Sequence, residues 1–267
     1  MPPKPNGVRA VLFDFDETLV PDEANVILAM ERAIAPVLPG THLNPKLVVA
    51  AIRTHAQRIW DHSDYYSYLD GLGVSADEGL WARFGGDDPL LTAIRAWAVD
   101  RYRPAVWEGL MEVLERPHET DVAAHLSATF QAERRALGRI PYPDAVPALD
   151  RLGARYALAL VTNGLSDLQR EKVAASGLGA RFRAIIVSGE VGHGKPEPQA
   201  FQAACAALAV PPEAAIMVGD SIDRDVRGAR ASGVPVVWVN RDGATAPPDA
   251  KPDYEVTDLS GLVELLA

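Results

Sequence analysis

Five short apolar segments, each of which ends abruptly in polar residues, recur along this chain. Such segments are typical of strands that are buried on both faces of a parallel sheet. Helical patterns separate the later segments, and this alternation predicts βαβ units within an α/β fold, built on a doubly wound and mainly parallel sheet. The predicted strands are 8–16, 156–164, 184–190, 215–221 and 235–240, and the predicted helices between them are 144–154, 166–177, 197–208 and 223–233.

A long stretch after the first predicted strand breaks this alternation, because all of its patterns are helical. The α/β pattern resumes at the turn residues of PYPDAVP, 141–147. We therefore predict an α/β core formed by residues 1–20 and 140–267, with an inserted all-helical domain at 21–139. The helices predicted within the insertion are 22–38, 45–60, 87–103 and 119–137.

The charge of the chain restricts its partners. The formal net charge is −10 and no long basic run occurs, so nucleic acid and anionic membranes are not expected as partners. An acidic protein that handles an anionic substrate needs a local positive feature, such as a bound cation or a lysine.

The chain has no apolar segment of membrane-spanning length and no signal-peptide pattern at its start, so a cytoplasmic location is expected. Cys205, within an apolar helical pattern, is expected to be a buried structural thiol.

Polar residues follow the predicted strands at the edge where a parallel sheet binds its ligands. Carboxylates that lie close together repel one another, so a cation is expected among them. Oxygen ligands without histidine or cysteine favour a hard ion, Mg²⁺ in particular, which also binds phosphate oxygens. We therefore expect a magnesium site and a phosphate ester as the substrate. The residues at this edge are Asp14, Asp16, Thr162, Asn163, Lys195, Asp220, Asp223 and Asp225.

Four of these segments together resemble the motifs of the haloacid dehalogenase superfamily. FDFDETLV (13–20) is similar to its first motif, VTNG (161–164) to its second, Lys195 before Pro196 to its third, and VGDSIDRDV (218–226) to its fourth. The motifs occur in the order of the family, and the helical insertion resembles its C1-type cap. The resemblance covers nearly the whole chain and implies a Rossmann-like core with a phosphatase activity.

The resemblance also implies roles in catalysis. Asp14 would attack phosphorus and form an aspartyl-phosphate. Asp16 would protonate the leaving oxygen and then deprotonate water, with the neighbouring Asp14 carboxylate expected to favour its protonated form. Lys195 would neutralise the nucleophile and the transferred group.

Binding roles follow from the same resemblance. Asp14, the backbone carbonyl of Asp16 and Asp220 would hold Mg²⁺, and Asp225 would act through water or support the other ligands. Thr162 and the backbone N–H of Asn163 would bind phosphoryl oxygens.

The predicted function is hydrolysis of a small phosphorylated metabolite, a nucleotide monophosphate or a sugar phosphate. Asp16 argues against a dehalogenase, because family members that displace halide lack a carboxylate at this position. A phosphomutase stays open, and a phosphoacceptor switch of the receiver type is less favoured because receivers are much shorter. Arg58 and Tyr65, in the aromatic stretch 58–68, are the candidates for substrate contacts, although a packed or solvated helix face is the simpler interpretation. Ser221 is expected to cap the helix after the fourth strand.

Overall fold

The computed structural model describes Pro5, residues 7–137 and residues 140–267. Its internal contacts divide the chain into two compact units. We call Met1–Pro21 with Ile140–Ala267 the α/β unit, and Asp22–Arg139 the helical unit. The predicted domain ends at residues 1 and 139 lie outside the described residues.

The helical unit contains each of the four helices that the sequence predicts, with shifted ends. The described residues also form three helices outside the predicted set: α6, which lies beyond the predicted end at residue 103, and the short helices α3 and α4, which are too brief for a helical period to show in the sequence. The helices are α1 (Asp22–Ile34), α2 (Pro45–Asp61), α3 (Tyr66–Gly71), α4 (Ala76–Gly79), α5 (Pro89–Trp97), α6 (Arg103–Val113) and α7 (Thr120–Leu137). A 3₁₀ turn at Ala35–Val37 extends α1, and a π-helical turn at Ala98–Tyr102 joins α5 to α6.

The π-helical turn corrects the prediction of one helix over 87–103. Pro104 lies in the first turn of α6, a position that tolerates the missing proline N–H. The wide turn adds a residue and brings Trp97 and Tyr102 into a stack with ring centroids 5.0 Å apart. Trp60 of α2 packs on both rings at 5.7 and 5.2 Å, so these aromatic residues form a core within the helical unit.

The α/β unit is built on a parallel sheet whose strands lie in the order β3-β2-β1-β4-β5-β6. The five predicted strands are present and shorter than predicted. β6 was not predicted; it has three residues, none of them fully buried. The strands are β1 (Ala10–Phe13), β2 (Ala157–Thr162), β3 (Ala184–Val187), β4 (Ala215–Gly219), β5 (Val236–Val239) and β6 (Tyr254–Val256).

Helices cover both faces of this sheet. On one face Phe13 of β1 belongs to an apolar cluster with Leu149 of the first helix after the insertion. On the other face Leu12 belongs to a cluster with Phe201 and Cys205, and the buried cysteine agrees with the prediction. The helices are α8 (Ala145–Gly153), α9 (Ser166–Ser176), α10 (Ser188–Val191), α11 (Pro198–Ala207), α12 (Gly228–Ala231) and α13 (Leu259–Leu266), and a π-helical turn at Ile222–Arg227 precedes α12.

The strand order places a ligand crevice beside β1. From β1 the chain passes to β2 and β3 on one side and then crosses to β4 on the other side. In open α/β sheets such a reversal leaves a crevice at the carboxyl ends of the central strands. Among the described residues, no helix combines the length and the apolar composition needed to cross a membrane.

Candidate active site

A cavity of about 200 Å³ lies at the carboxyl ends of the central strands. It contains seven of the eight residues that the sequence places at this edge of the sheet; Asp223 is not among the described lining residues, and its carboxylate pairs with Arg227 at 3.0 Å. Glu17, Ser221 and Arg224 also line it, although the sequence analysis gave them no role in binding. The lining residues are Asp14, Asp16, Glu17, Thr162, Asn163, Lys195, Asp220, Ser221, Arg224 and Asp225.

Asp14 is placed by the end of β1. Its backbone N–H donates to the carbonyl of Val218 at 2.9 Å, which extends the pairing of β1 with β4 by one residue. Phe15 is fully buried, and its carbonyl accepts from Leu19 and Val20, so the loop after the strand is closed by the backbone itself. This turn presents both Asp14 and Asp16 to the cavity.

Lys195 is the cation at the centre of the site. Its Nζ lies 2.5 Å from Asp14 Oδ1 and 2.7 Å from Asp225 Oδ1, and its side chain is 2% exposed. Burial alone would lower the pKa of this ammonium, but the charges of Asp14 and Asp225 outweigh burial and raise it. Lys195 is therefore positively charged next to Asp14, where phosphoryl chemistry would need it.

The backbone of Lys195 is held by the side chain of Asn163. The Asn163 amide donates to the Lys195 carbonyl at 2.8 Å, and its oxygen accepts the Lys195 N–H at 2.8 Å. The sequence analysis considered only the backbone N–H of Asn163 and missed this pairing. An asparagine at the end of β2 thus positions the lysine that follows β3.

Three carboxylates surround one point of the cavity. Oxygen atoms of Asp14, Asp220 and Asp225 all lie within 4.8 Å of one another. The hydroxyl of Thr18 lies 3.2 Å from both Asp14 Oδ2 and Asp220 Oδ1, and its hydrogen is shared between them. Thr18 belongs to the first motif, and its four-residue spacing from Asp14 was the available signal for this contact.

The charges of the three carboxylates favour the binding of a cation in addition to Lys195. Burial, followed by the charges of Asp14 and Asp225, raises the pKa of Asp220 to about 8. Burial also raises the pKa of Asp225 to about 6, against the opposing effect of Lys195. One ammonium among three carboxylates leaves excess negative charge, and every donor is a hard oxygen. The donor set therefore fits a divalent ion such as Mg²⁺.

Gly219, the last residue of β4, allows Asp225 to approach the strand. A Cβ at this position would lie 2.2 Å from Asp225 Oδ2, which is closer than any real contact. The same Oδ2 accepts the N–H of Ser221 at 3.0 Å. Ser221 in turn caps the following helical turn by accepting the Arg224 N–H at 3.2 Å, which confirms its predicted role.

The phosphate-binding candidates at the end of β2 are held by neighbouring polar groups. The Thr162 hydroxyl lies 3.1 Å from Gln169 Oε1, and Gln169 of α9 is fully buried. The N–H of Gly164 donates to the Ser188 hydroxyl at 2.8 Å. These contacts fix the loop between β2 and α9 beside the cavity.

Asp16 has a partner that the sequence analysis missed. Lys172 of α9 donates to Asp16 Oδ2 at 2.7 Å, and the lysine side chain is 3% exposed. Lys172 therefore binds one of the two oxygens of the Asp16 carboxyl group, a contact that was not expected from the sequence. The available signal was a polar residue at a position on the buried stripe of α9.

Arg58 and Tyr65 lie in the helical unit, so they are not part of this cluster in the α/β unit. Arg58 Nη2 lies 3.1 Å from His55 Nδ1, one turn away on α2. The ring of Tyr65 packs on Trp97 with centroids 5.6 Å apart. The first contact lies within α2 and the second joins two parts of the helical unit, so a role of either residue in substrate binding stays a prediction.

Comparisons with known proteins agree with this architecture. Residues 8–233 match the model of the haloacid dehalogenase-like hydrolase family. A phosphoserine phosphatase of Thermus thermophilus is 39% identical over 94% of this chain and 96% of its own length. A glyceraldehyde 3-phosphate phosphatase of Methanothermobacter thermautotrophicus is 32% identical over 97% of this chain and all of its own length.

Solved structures share the fold. The HAD-hydrolase YfnB of Bacillus subtilis, in a structure bound to magnesium, superimposes with a TM-score of 0.64 at 24% identity, over 97% of this chain and 98% of its own. An L-2-haloacid dehalogenase of Xanthobacter autotrophicus has a TM-score of 0.59 at 24% identity, with the same coverage. Because both structures are only 24% identical to this chain, they support a shared fold and nothing further.

The comparisons confirm three predictions: the family, the α/β fold with its parallel sheet, and an enzyme of the phosphatase branch. The family match covers more than half of the chain, and relatives that span nearly all of it are phosphatases. The chain belongs to the haloacid dehalogenase-like hydrolases.

Proposed function

We propose that this protein is a Mg²⁺-dependent phosphatase that hydrolyses small phosphate monoesters through an aspartyl-phosphate on Asp14. The observation that carries the proposal is the cluster at the sheet edge. A buried Lys195 binds Asp14 and Asp225, while oxygens of these two residues and Asp220 lie within 4.8 Å of one another. Such a cluster provides a nucleophile, a fixed cation and a cation-binding oxygen set in one cavity.

Asp14, Asp220 and the backbone carbonyl of Asp16 are the proposed Mg²⁺ ligands. Asp225 is fully buried and bound by both Lys195 and the N–H of Ser221, so we assign it a supporting role. When bound, Mg²⁺ supplies positive charge to the phosphoryl oxygens and reduces their repulsion of the nucleophile.

The chain's own residues divide the reaction into two displacements. An oxygen of Asp14 forms a bond to phosphorus while the ester P–O bond breaks, and Asp16 gives its proton to the leaving alkoxide. Water then attacks the same phosphorus as Asp16 takes one of its protons, which releases inorganic phosphate and restores Asp14. Thr162 and the N–H of Asn163 hold the phosphoryl oxygens, and Lys195 balances their charge.

Three-carbon phosphate monoesters are the substrates that we place first. The two relatives that span the chain are named for phosphoserine and for glyceraldehyde 3-phosphate, and the second of these is a sugar phosphate of the predicted kind. The cavity of about 200 Å³ accommodates a phosphoryl group with a small leaving group. Nucleotide monophosphates come next, because a pyrimidine 5′-nucleotidase of Escherichia coli matches 47% of the chain at 31% identity.

We further propose that the helical insertion selects the leaving group. The chain leaves the α/β unit after Pro21, five residues beyond Asp16, and returns to it at Ile140. The residues of the cavity bind the phosphoryl group that all substrates share, so discrimination needs groups from elsewhere.

The test is release of inorganic phosphate from L-phosphoserine, D-glyceraldehyde 3-phosphate and a nucleoside monophosphate. Each is assayed with Mg²⁺ and after chelation, with the Asp14→Asn protein as the matched control. We expect Mg²⁺-dependent release from at least one three-carbon ester and none from the control. Isomerised phosphoester without free phosphate would instead identify a phosphomutase, and absence of any turnover across the set would contradict the proposal.

A further inference from the structure

Helix α9 carries two polar side chains on its buried face. Gln169 and Lys172 lie one turn apart and are 0% and 3% exposed, in a stripe with Val173 and Ser176. Helix positions that face a core are ordinarily apolar. Each of these two side chains reaches one residue of the proposed phosphatase site: Gln169 contacts Thr162, and Lys172 contacts Asp16.

The contact of Lys172 joins parts of the chain that are far apart in sequence. Its Nζ donates to Asp16 Oδ2 at 2.7 Å across a separation of 156 residues. The Asp16 side chain is 29% exposed and lines the cavity, whereas Lys172 is not among the described lining residues. Lys172 therefore binds the Asp16 carboxyl group through Oδ2 from outside the described lining of the cavity.

A contribution to the stability of the folded protein does not explain why Lys172 and Asp16 form an ion pair here. Removing an ammonium from water is costly, and a buried ion pair is often no more stabilising than apolar residues of similar size. Asp16 is itself partly exposed, so solvent screens the pair and weakens its contribution to folding. A lysine at this site is better explained by what it does to the orientation of Asp16.

We propose that Lys172 is a positioning residue that binds one oxygen of the Asp16 carboxyl group and so orients the other oxygen, which carries the proton, for proton transfer to the leaving group. The proposal rests on the proposed function, in which Asp16 protonates the leaving oxygen. Lys172 touches neither substrate nor phosphoryl group in this role. Its loss leaves Asp16 present but able to rotate away, and proton transfer depends steeply on such placement.

The dependence of the rate on the leaving group separates this role from a structural one. The serine alkoxide that leaves phosphoserine is strongly basic and needs a proton as the ester bond breaks. The nitrophenolate of p-nitrophenyl phosphate is a weak base and leaves without one. Because kcat/KM covers the steps up to the first phosphoryl transfer, a misplaced Asp16 lowers it for phosphoserine far more than for p-nitrophenyl phosphate. General folding damage lowers both together.

The experiment measures kcat/KM for both esters in the wild-type protein and in Lys172→Met, Lys172→Arg and Asp16→Asn. Lys251→Met is the matched control, because Lys251 is an exposed lysine of the same unit. General acid–base catalysis contributes ~10²–10⁴-fold, so we expect the ratio of the two kcat/KM values to shift by at least ~10-fold in Lys172→Met. Asp16→Asn should shift the ratio in the same direction. Lys172→Arg should partly restore the wild-type ratio, and Lys251→Met should leave it unchanged.

The outcomes distinguish the inference from the proposed function. If the wild-type protein hydrolyses neither of these esters nor D-glyceraldehyde 3-phosphate, the proposed function fails; if it hydrolyses only the latter, that alkyl ester replaces phosphoserine in the ratio. If the wild type is active and Lys172→Met keeps the wild-type ratio, whatever the loss of total activity, the positioning role is wrong. Should Lys172→Met not fold, as judged by circular dichroism, Lys172→Gln takes its place and the same ratio decides.

Discussion

Binding of Mg²⁺ should stabilise this protein more at pH 7.5 than at pH 5.5. The pKa of Asp220 is raised to about 8 and that of Asp225 to about 6, from an ordinary value of 3.8. An acid whose pKa is raised by folding contributes stability that is complete below its unfolded pKa and is lost as the pH rises through its folded pKa. The metal-free folded state is therefore less stable at pH 7.5 than at pH 5.5, while the proton that Mg²⁺ must displace is released more easily at the higher pH.

The size of the effect follows from the proton on Asp220. Both pH values lie below its pKa of about 8, so one proton must leave Asp220 for each Mg²⁺ bound. The apparent affinity then rises about tenfold per pH unit, or roughly 100-fold over the two units, which corresponds to about 2.7 kcal/mol. With Mg²⁺ in excess at both pH values, that difference appears as added stability. For a unit of this size it corresponds to about 5–10 °C in Tm.

Thermal unfolding with Mg²⁺ and with chelator, at both pH values, measures the difference directly. Subtracting the chelated sample at each pH removes the contribution of every group that titrates independently of the metal. Asp220→Asn is the control, and it should lose most of the Mg²⁺ effect and its pH dependence. An equal Mg²⁺-induced shift at both pH values, or a larger one at pH 5.5, would refute the electrostatic description of the site.

Four further substitutions test two residues of the site and two of the helical unit. Lys195→Met should lower kcat by ~10²–10³-fold, since a fixed charge next to the reacting oxygen is lost, and phosphate release at saturating substrate measures it; a loss below tenfold would contradict the role. Gly219→Ala should displace Asp225 and lower both activity and Tm, because the added Cβ would lie 2.2 Å from Oδ2; Gly71→Ala, where nothing lies within 4 Å, should change neither. In the helical unit, Arg58→Ala and Tyr65→Ala should change the ranking of natural substrates in kcat/KM and spare p-nitrophenyl phosphate, and equal losses for all esters would argue against a role in selection.

The central strands were predictable because burial on both faces leaves a strong apolar signal. Residues at the end of each such strand meet at one edge, so Asp14, Thr162 and Asp220 could be grouped without coordinates. β6 could not be predicted, since three partly exposed residues at the sheet edge carry no such signal. Helices α3 and α4 could not be predicted either, because they are too short to show a helical period.

The contacts that support the site residues could not be predicted from the sequence. Lys172 and Asp16 are 156 residues apart, and only the fold brings α9 behind the loop that follows β1. The pairing of the Asn163 side chain with the Lys195 backbone likewise depends on how the loops after β2 and β3 meet. Motif spacing indicates which groups a site needs, whereas packing determines which neighbours hold them in place.

The most direct test of the proposed chemistry is to locate the phosphoryl group during turnover. The protein is mixed with its best three-carbon ester and Mg²⁺, quenched in acid within the first turnover, digested and analysed by mass spectrometry. We expect one phosphoryl group on the peptide that contains Asp14, formed and lost at rates consistent with kcat, and absent from Asp14→Asn. Steady turnover by Asp14→Asn at a rate near that of the wild type, or a phosphoryl group on a different residue, would contradict Asp14 as the nucleophile.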